Sequence, residues 1–151
     1  MTAFEPQTDD YAARVRESYD RQTAMVTLGA ELTAIGPGTV EIVLPFRADL
    51  CQQHGFIHAG IITAIADSAC GYAAYSLMPA DAGVLTVEFK VNFLHPAAGE
   101  RLIARGMVSR AGRTISVCAA DIFAVSGDSE KVVATMLATV MTIQGREGVR
   151  G

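Results

Sequence analysis

Three kinds of hydrophobic pattern alternate along this chain. From 58 to about 78 (HAGIITAIADSACGYAAYSLM) nearly every position is apolar or small. The run is too long for a strand and rich in alanine. It ends at Pro79, whose ring lacks an N–H and clashes with the turn before it, so the pattern predicts a helix. A helix apolar nearly all round is a buried one. From 85 to 93 the pattern changes to strict alternation, with Leu85, Val87, Phe89, Val91 and Phe93 set against Thr86, Glu88, Lys90 and Asn92. Period two over this length predicts a half-buried strand with its apolar set on one face. From 9 to about 24, charge is mixed with Tyr11, Val15 and Tyr19 at four-residue steps. That predicts a short amphipathic helix on the surface, covering part of a sheet or the mouth of a pocket.

The remaining segments read as strands. Stretches 26–35 and 39–44 flank Gly36-Pro37-Gly38, and 100–110 and 113–124 flank Ala111-Gly112, which predicts two hairpins. The last strand, 131–143, is apolar on both faces and is expected to be covered on both sides. The polar, glycine-rich stretch 144–151 reads as a flexible tail. The expected order is therefore a short helix, two strands, one long buried helix and four strands. Short turns favour antiparallel pairing, so the fold class is α+β, with an antiparallel sheet around one long central helix. The segment 1–24 precedes this domain, which occupies 25–143. One helix covers one face of such a sheet, and a partner subunit is the natural cover for the other.

Composition narrows the function classes. The chain has 151 residues, 50% of them hydrophobic and 19% charged, enough for one domain with a sizeable core. Its positive mean hydropathy points to buried subunit interfaces. Net charge is −4 without any block of Lys or Arg, so the electrostatic footprint of nucleic-acid binding is missing. Cys51, Cys70 and Cys118 are odd in number and share no metal-ligand spacing with His54, His58 and His95, which argues against a disulfide framework or a metal site. The N-terminal stretch is acidic and has no hydrophobic signal core, so a reducing, cytoplasmic location is expected. The apolar run is long enough to raise a membrane span. Asp67 at its centre would cost about 2.5–3.5 kcal/mol on an insertion scale, which alanine and glycine do little to offset, so the span is rejected.

Asp67 is the chemical singularity of the run. Gly60, Thr63, Ala64, Asp67, Gly71 and Ala74 share one side of the expected helix, and all but Asp67 are small. Such a face lets a backbone or a ligand come close. A buried carboxylate needs either a neighbouring hydroxyl or amide to satisfy it or a chemical task. The chain has no G-x-S-x-G elbow, and Cys51 and Cys70 read as small apolar residues rather than nucleophiles.

Two motifs carry a family resemblance. Q-x-x-G-x-x-H-A-G, from Gln52 to Gly60, is followed by an Asp in an alanine-rich helix, and Leu85-Thr86-Val87-Glu88-Phe89 leads to Asn92-Phe93 and Pro96. From about 25 to 143 the chain resembles the hotdog-fold acyl-CoA thioesterases of the PaaI-like branch, which act on phenylacetyl-CoA and medium-chain acyl-CoAs. The resemblance implies hydrolysis of acyl-CoA thioesters to free acid and CoA, with CoA as part of the substrate and no separate cofactor. It implies a homodimer or homotetramer, with neither nucleic acid nor membrane as a partner.

Residue by residue, the resemblance makes Asp67 the general base or nucleophile. Gln52 becomes the amide that orients thioester or water, and Ala59 the residue whose backbone N–H polarises the carbonyl. Thr86 becomes the hydroxyl facing the acid, and His58 the histidine of an H-G-G pattern in which Ala59 replaces glycine. Arg110 and Arg113, beside a hairpin turn, and Lys90 become candidates for holding the CoA phosphates. The roles agree with elementary chemistry. The first N–H groups of a helix lack partners and favour developing negative charge, and a thiolate leaves without a strong acid. Ala59 and Asp67 are about 12 Å apart along one helix, so one carbonyl does not reach both, and the family's answer is a site shared by two subunits. Two other readings stand beside this one: a hotdog hydratase or dehydratase using His58 with Asp67, and a non-catalytic acyl-CoA sensor.

Overall fold

A computed structural model describes residues 4–151. Its elements in chain order are α1 (Tyr11–Asp20), α2 (Thr23–Leu28), β1 (Glu31–Gly36), β2 (Thr39–Pro45), α3 (Ala59–Tyr75), β3 (Gly83–Phe93), β4 (Arg101–Arg110), β5 (Ile115–Ser126) and β6 (Ser129–Ile143). The six strands form one sheet in the order β1-β2-β4-β5-β6-β3, antiparallel throughout. Helix α3 lies across β2 to β6, and the core fills the space between them. The expected α+β architecture is present: an antiparallel sheet wrapped around one long helix.

The close seating of α3 depends on a residue without a side chain. A Cβ at Gly106 on β4 would collide with the Ala69 carbonyl of α3. Ala66, Ala69, Cys70 and Ala73 are fully buried against the sheet, so the alanine content of the run reflects a backbone-to-sheet approach too tight for larger residues. Helix α1 buries Val15 and Tyr19, as its four-residue period predicts. Arg14 ties α1 to the end of α3, donating to the carbonyls of Met78 (3.1 Å) and Pro79 (2.8 Å).

Three expectations need correction. The stretch 26–35 is not one strand, because 26–28 ends α2, and β1 starts only at Glu31. Gly29, in the left-handed conformation at φ 73°, closes that helix by donating to the Val26 carbonyl. The tail 144–151 is folded back on the domain: Gln144 Nε2 donates to Asp81 Oδ1 (3.0 Å) and the Gly151 amide to the Ala82 carbonyl (3.2 Å). Strand β6 buries one side within the chain, and its outer face is the one expected to meet a partner subunit. Ala134, Met136, Ala138 and Val140 are buried under α3, while Leu137 on the outer face is 55% exposed.

The third correction concerns β3. It pairs with β6 through a bulge at Val87, with Thr86 opposite Val140 and Glu88 opposite Thr139. A one-residue bulge exchanges the faces of everything beyond it. Thr86 therefore faces α3 together with Phe89, Val91 and Phe93, whose partners Ala138, Met136 and Ala134 all lie on the helix side. Being at the sheet edge, β3 is also far more open than a half-buried strand, with Phe89 44% and Phe93 46% exposed.

Candidate active site

Two cavities flank α3, and they divide the candidate residues between them. The first, of about 500 Å³, contains Asp67 and Thr86. Asp67 sits half-exposed in the middle of α3 rather than sealed in the core, and Thr86 Oγ1 donates to its Oδ1 at 2.7 Å. One carboxylate oxygen is thereby fixed and the other left to the cavity. The walls add Ser18 and Gln22 from the N-terminal helices, Ser68, Gly71 and Tyr72 from α3, and 148–151 from the folded-back tail. Ser18 Oγ and Tyr72 OH are 3.3 Å apart, and Ser68 Oγ donates to Gln22 Oε1 at 3.3 Å.

The second cavity, of about 480 Å³, contains Gln52 and Ala59, along with His54, His95, Phe56, Phe93 and Leu94. Its loop is built from backbone. Gln52 N donates to the Phe56 carbonyl (2.9 Å), and Gly55 N returns to the Gln52 carbonyl (3.0 Å). Gly55 at φ 83° takes the left-handed turn that a side chain would resist. The Gln52 side chain folds into this turn, with Oε1 accepting from the His54 amide. Because a backbone N–H needs an acceptor, that bond fixes the amide orientation and leaves Nε2 as a donor.

At the start of α3, His58 is the N-cap and its Nδ1 accepts from the Gly60 amide at 2.9 Å. His58 thus holds the loop-to-helix corner. The Ile61 and Ile62 amides donate to the His58 carbonyl. Among the described residues the Ala59 N–H has no hydrogen-bond acceptor, and Ala59 is exposed. It is a free donor at the positive end of a helix, where negative charge is favoured.

The basic candidates lie elsewhere. Lys90 pairs with Leu137 on the outer face of the sheet and donates to Asn92 Oδ1 at 2.7 Å, on the side away from Asp67. Arg110 ends β4 and is exposed, and Arg113 lies in the turn beyond it, beside Met78 and Pro79 at the C-terminal end of α3. Neither arginine lines the cavity of Asp67 or that of Ala59. The arginine that lines the Asp67 cavity is Arg150. Sequence reading missed Arg150 together with Ser18, Gln22, Ser68 and Tyr72. The spacing of Gly145, Gly148 and Gly151 was the available sign that the tail turns back.

Cys70 and Cys118 are buried. Burial pushes the Cys118 thiol from 9.0 up to about 12 and raises Cys70 as well, so neither presents a thiolate near neutral pH.

Comparison with known proteins agrees with this fold. The profile of the thioesterase superfamily matches residues 54–131. An inferred esterase of Halobacterium salinarum is 32% identical over 122 residues, covering 78% of this chain and 79% of that protein. The crystal structure of a thioesterase family protein from Silicibacter pomeroyi is 52% identical and superposes with a TM-score of 0.88, covering 89% of this chain and 99% of that one. The PaaI protein of the Escherichia coli phenylacetic acid degradation operon shares the fold, with a TM-score of 0.79 at 23% identity over 90% of this chain and 95% of its own.

Proposed function

This chain belongs to the thioesterase superfamily, and from that premise we propose that it hydrolyses acyl-CoA thioesters to free acid and CoA. Family membership supports thioester hydrolysis in general. The observation that carries the finer reading is the division of the site: carboxylate and hydroxyl in one cavity, free N–H and amide donor in another.

Two copies of the chain resolve that division. With the Ala59 end of one subunit laid against the Asp67 cavity of the other, a thioester carbonyl meets the Ala59 N–H and the Gln52 Nε2 while its carbon faces Asp67. The donors stabilise the oxyanion as it forms. Asp67 either takes a proton from a water that adds to the carbon, or attacks the carbon itself to form an anhydride that a water then hydrolyses to free acid and Asp67; in both cases CoA thiolate departs. Thr86 holds the carboxylate in line. His58 holds the corner that aims the Ala59 N–H, and this occupied Nδ1 sets it apart from the base a hydratase would need. The exposed apolar residues Phe89 and Phe93 on edge strand β3, with Leu94 just beyond its end, are the surface such a pairing would bury. For the CoA phosphates Arg110 and Arg113 remain the candidates from the resemblance although they line neither cavity, and Arg150 joins them at the Asp67 cavity.

The test is thiol release from a panel of acyl-CoAs, including phenylacetyl-, short-, medium- and long-chain thioesters, alongside enoyl-CoA absorbance. Steady thiol release without loss of the enoyl chromophore supports hydrolysis. Enoyl hydration without thiol release replaces this reading with the hydratase.

A further inference from the structure

The Asp67 cavity has a floor and an end wall. Its floor is Gly71, one turn beyond the acid on α3, where an added Cβ would meet nothing within 4 Å. The open path along α3 therefore runs from Asp67 over Gly71 toward Tyr75. There the folded-back tail crosses it, about 12 Å from Asp67 at 1.5 Å per residue. The tail is held at several points. Gly145 at φ 66° and Gly148 at φ 80° turn it back, and the Val149 amide donates to the Arg146 carbonyl at 3.2 Å. Val149 seats on Gly83 of β3, where a Cβ would lie 3.0 Å from Val149 Cγ1 and 3.1 Å from its carbonyl oxygen. Gly151 packs on the Tyr75 ring and bonds to Ala82.

We propose that residues 148–151 are the end wall of the acyl cavity and set the length of acyl group that the site accepts. The proposal rests on the reading of Asp67 as the hydrolytic acid, because that reading puts the thioester carbon at Asp67 and sends the acyl group over Gly71. The cavity, about 500 Å³, falls within the range of about 300–1,000 Å³ usual for small-molecule sites. Acyl groups shorter than about 12 Å lie beneath the wall, and longer ones meet Val149 and Gly151.

The test lifts the wall in the full chain. In Gly83→Val the new side chain pushes first on Val149, the nearest neighbour of that position. The ratio of kcat/KM for dodecanoyl-CoA to that for butanoyl-CoA is expected to rise at least about tenfold, the scale on which pockets discriminate methylenes. A chain ending at Gln144 is expected to show the same rise, and Gly71→Val, which fills the floor, a fall. Unchanged ratios in both wall variants overturn the proposal. The same variants are titrated with butanoate and dodecanoate by calorimetry. If no acyl-CoA is hydrolysed by the unaltered chain, the functional reading fails. The affinity ratio of the two acids then decides the wall alone, a tenfold shift upholding it and an unchanged ratio removing it.

Discussion

Thr86 on the edge strand donates to Asp67 in the middle of the central helix, 2.7 Å apart and nineteen positions distant in sequence. The bond exists because a bulge at Val87 puts Thr86 on the helix side of the sheet. It reconciles two readings of Asp67, since the carboxylate has a hydroxyl partner and keeps one oxygen for a reaction.

Asp67→Asn retains size and the Thr86 contact but loses basicity and nucleophilicity. General base catalysis is worth about 10²–10⁴-fold, so kcat is expected to fall at least about 10²-fold with KM little changed. The melting temperature should stay near that of the unaltered chain. Near-normal turnover with a lowered melting temperature would make Asp67 a structural residue.

Thr86→Val removes the bond that orients Asp67 while keeping the shape of the side chain. A hydrogen bond to a charged group contributes about 1.5–3 kcal/mol, and less where, as here, the donor is exposed. The expected fall in kcat is about tenfold, with Thr86→Ser recovering most of it. Steady-state kinetics on the pair checks this, and an unaltered kcat for Thr86→Val would leave the bond without a catalytic part.

Ala59→Pro deletes the free N–H and little else. Proline is welcome at the first position of a helix, and His58 already has the extended ψ, 139°, that a residue before proline requires. Loss of one oxyanion donor costs about 10²–10³-fold in kcat. If the site is shared by two subunits, refolding Ala59→Pro together with Asp67→Asn restores one intact site per mixed dimer, about a quarter of full activity for random C₂ pairing. Activity no greater than the average of the two separate variants would confine the site to one chain.

Buried thiols make the fold sensitive to alkali. Cys118 keeps its proton to about 12 when folded, against an ordinary 9.0. Between these values the unfolded chain has lost a proton that the folded chain retains, so stability is full below about pH 9 and falls as pH rises. The slope is about 1.4 kcal/mol per pH unit for each such thiol. Cys70 adds to it, and Tyr19, raised by burial from 10.0 to about 12, joins above pH 10. Urea unfolding of Cys118→Ala across pH 8–11 should show a shallower decline than the unaltered chain.

The element order and the central helix were legible because their signals are local: an alanine-rich run stopped by Pro79, and alternation in the strands. The ends of elements were less so. Gly29 closes a helix that its neighbours Val26 and Thr27 disguised as the start of a strand. The faces of β3 were misread because a bulge leaves alternation intact in sequence while inverting it in space. The same error would have pointed Thr86 away from Asp67, and only the family motif brought the two together. That Lys90 faces the outer side of the sheet was hidden for the same reason. The tail was read as free because polar glycine-rich composition resembles a linker; its docking depends on Gly83 and Tyr75, far away in sequence.

The bulge at Val87 also divides one strand into two territories. The segment before it carries Thr86, the hydroxyl partner of the proposed acid. The segment after it, with Phe89 and Phe93 exposed, belongs to the subunit pairing proposed above. Because pairing restarts at Glu88, changes in the second territory leave the carboxylate's partner where it is. If two copies share the site as proposed, a change in the second territory is felt in turnover through Phe93, which lines the Ala59 cavity, while the Thr86–Asp67 bond stays intact.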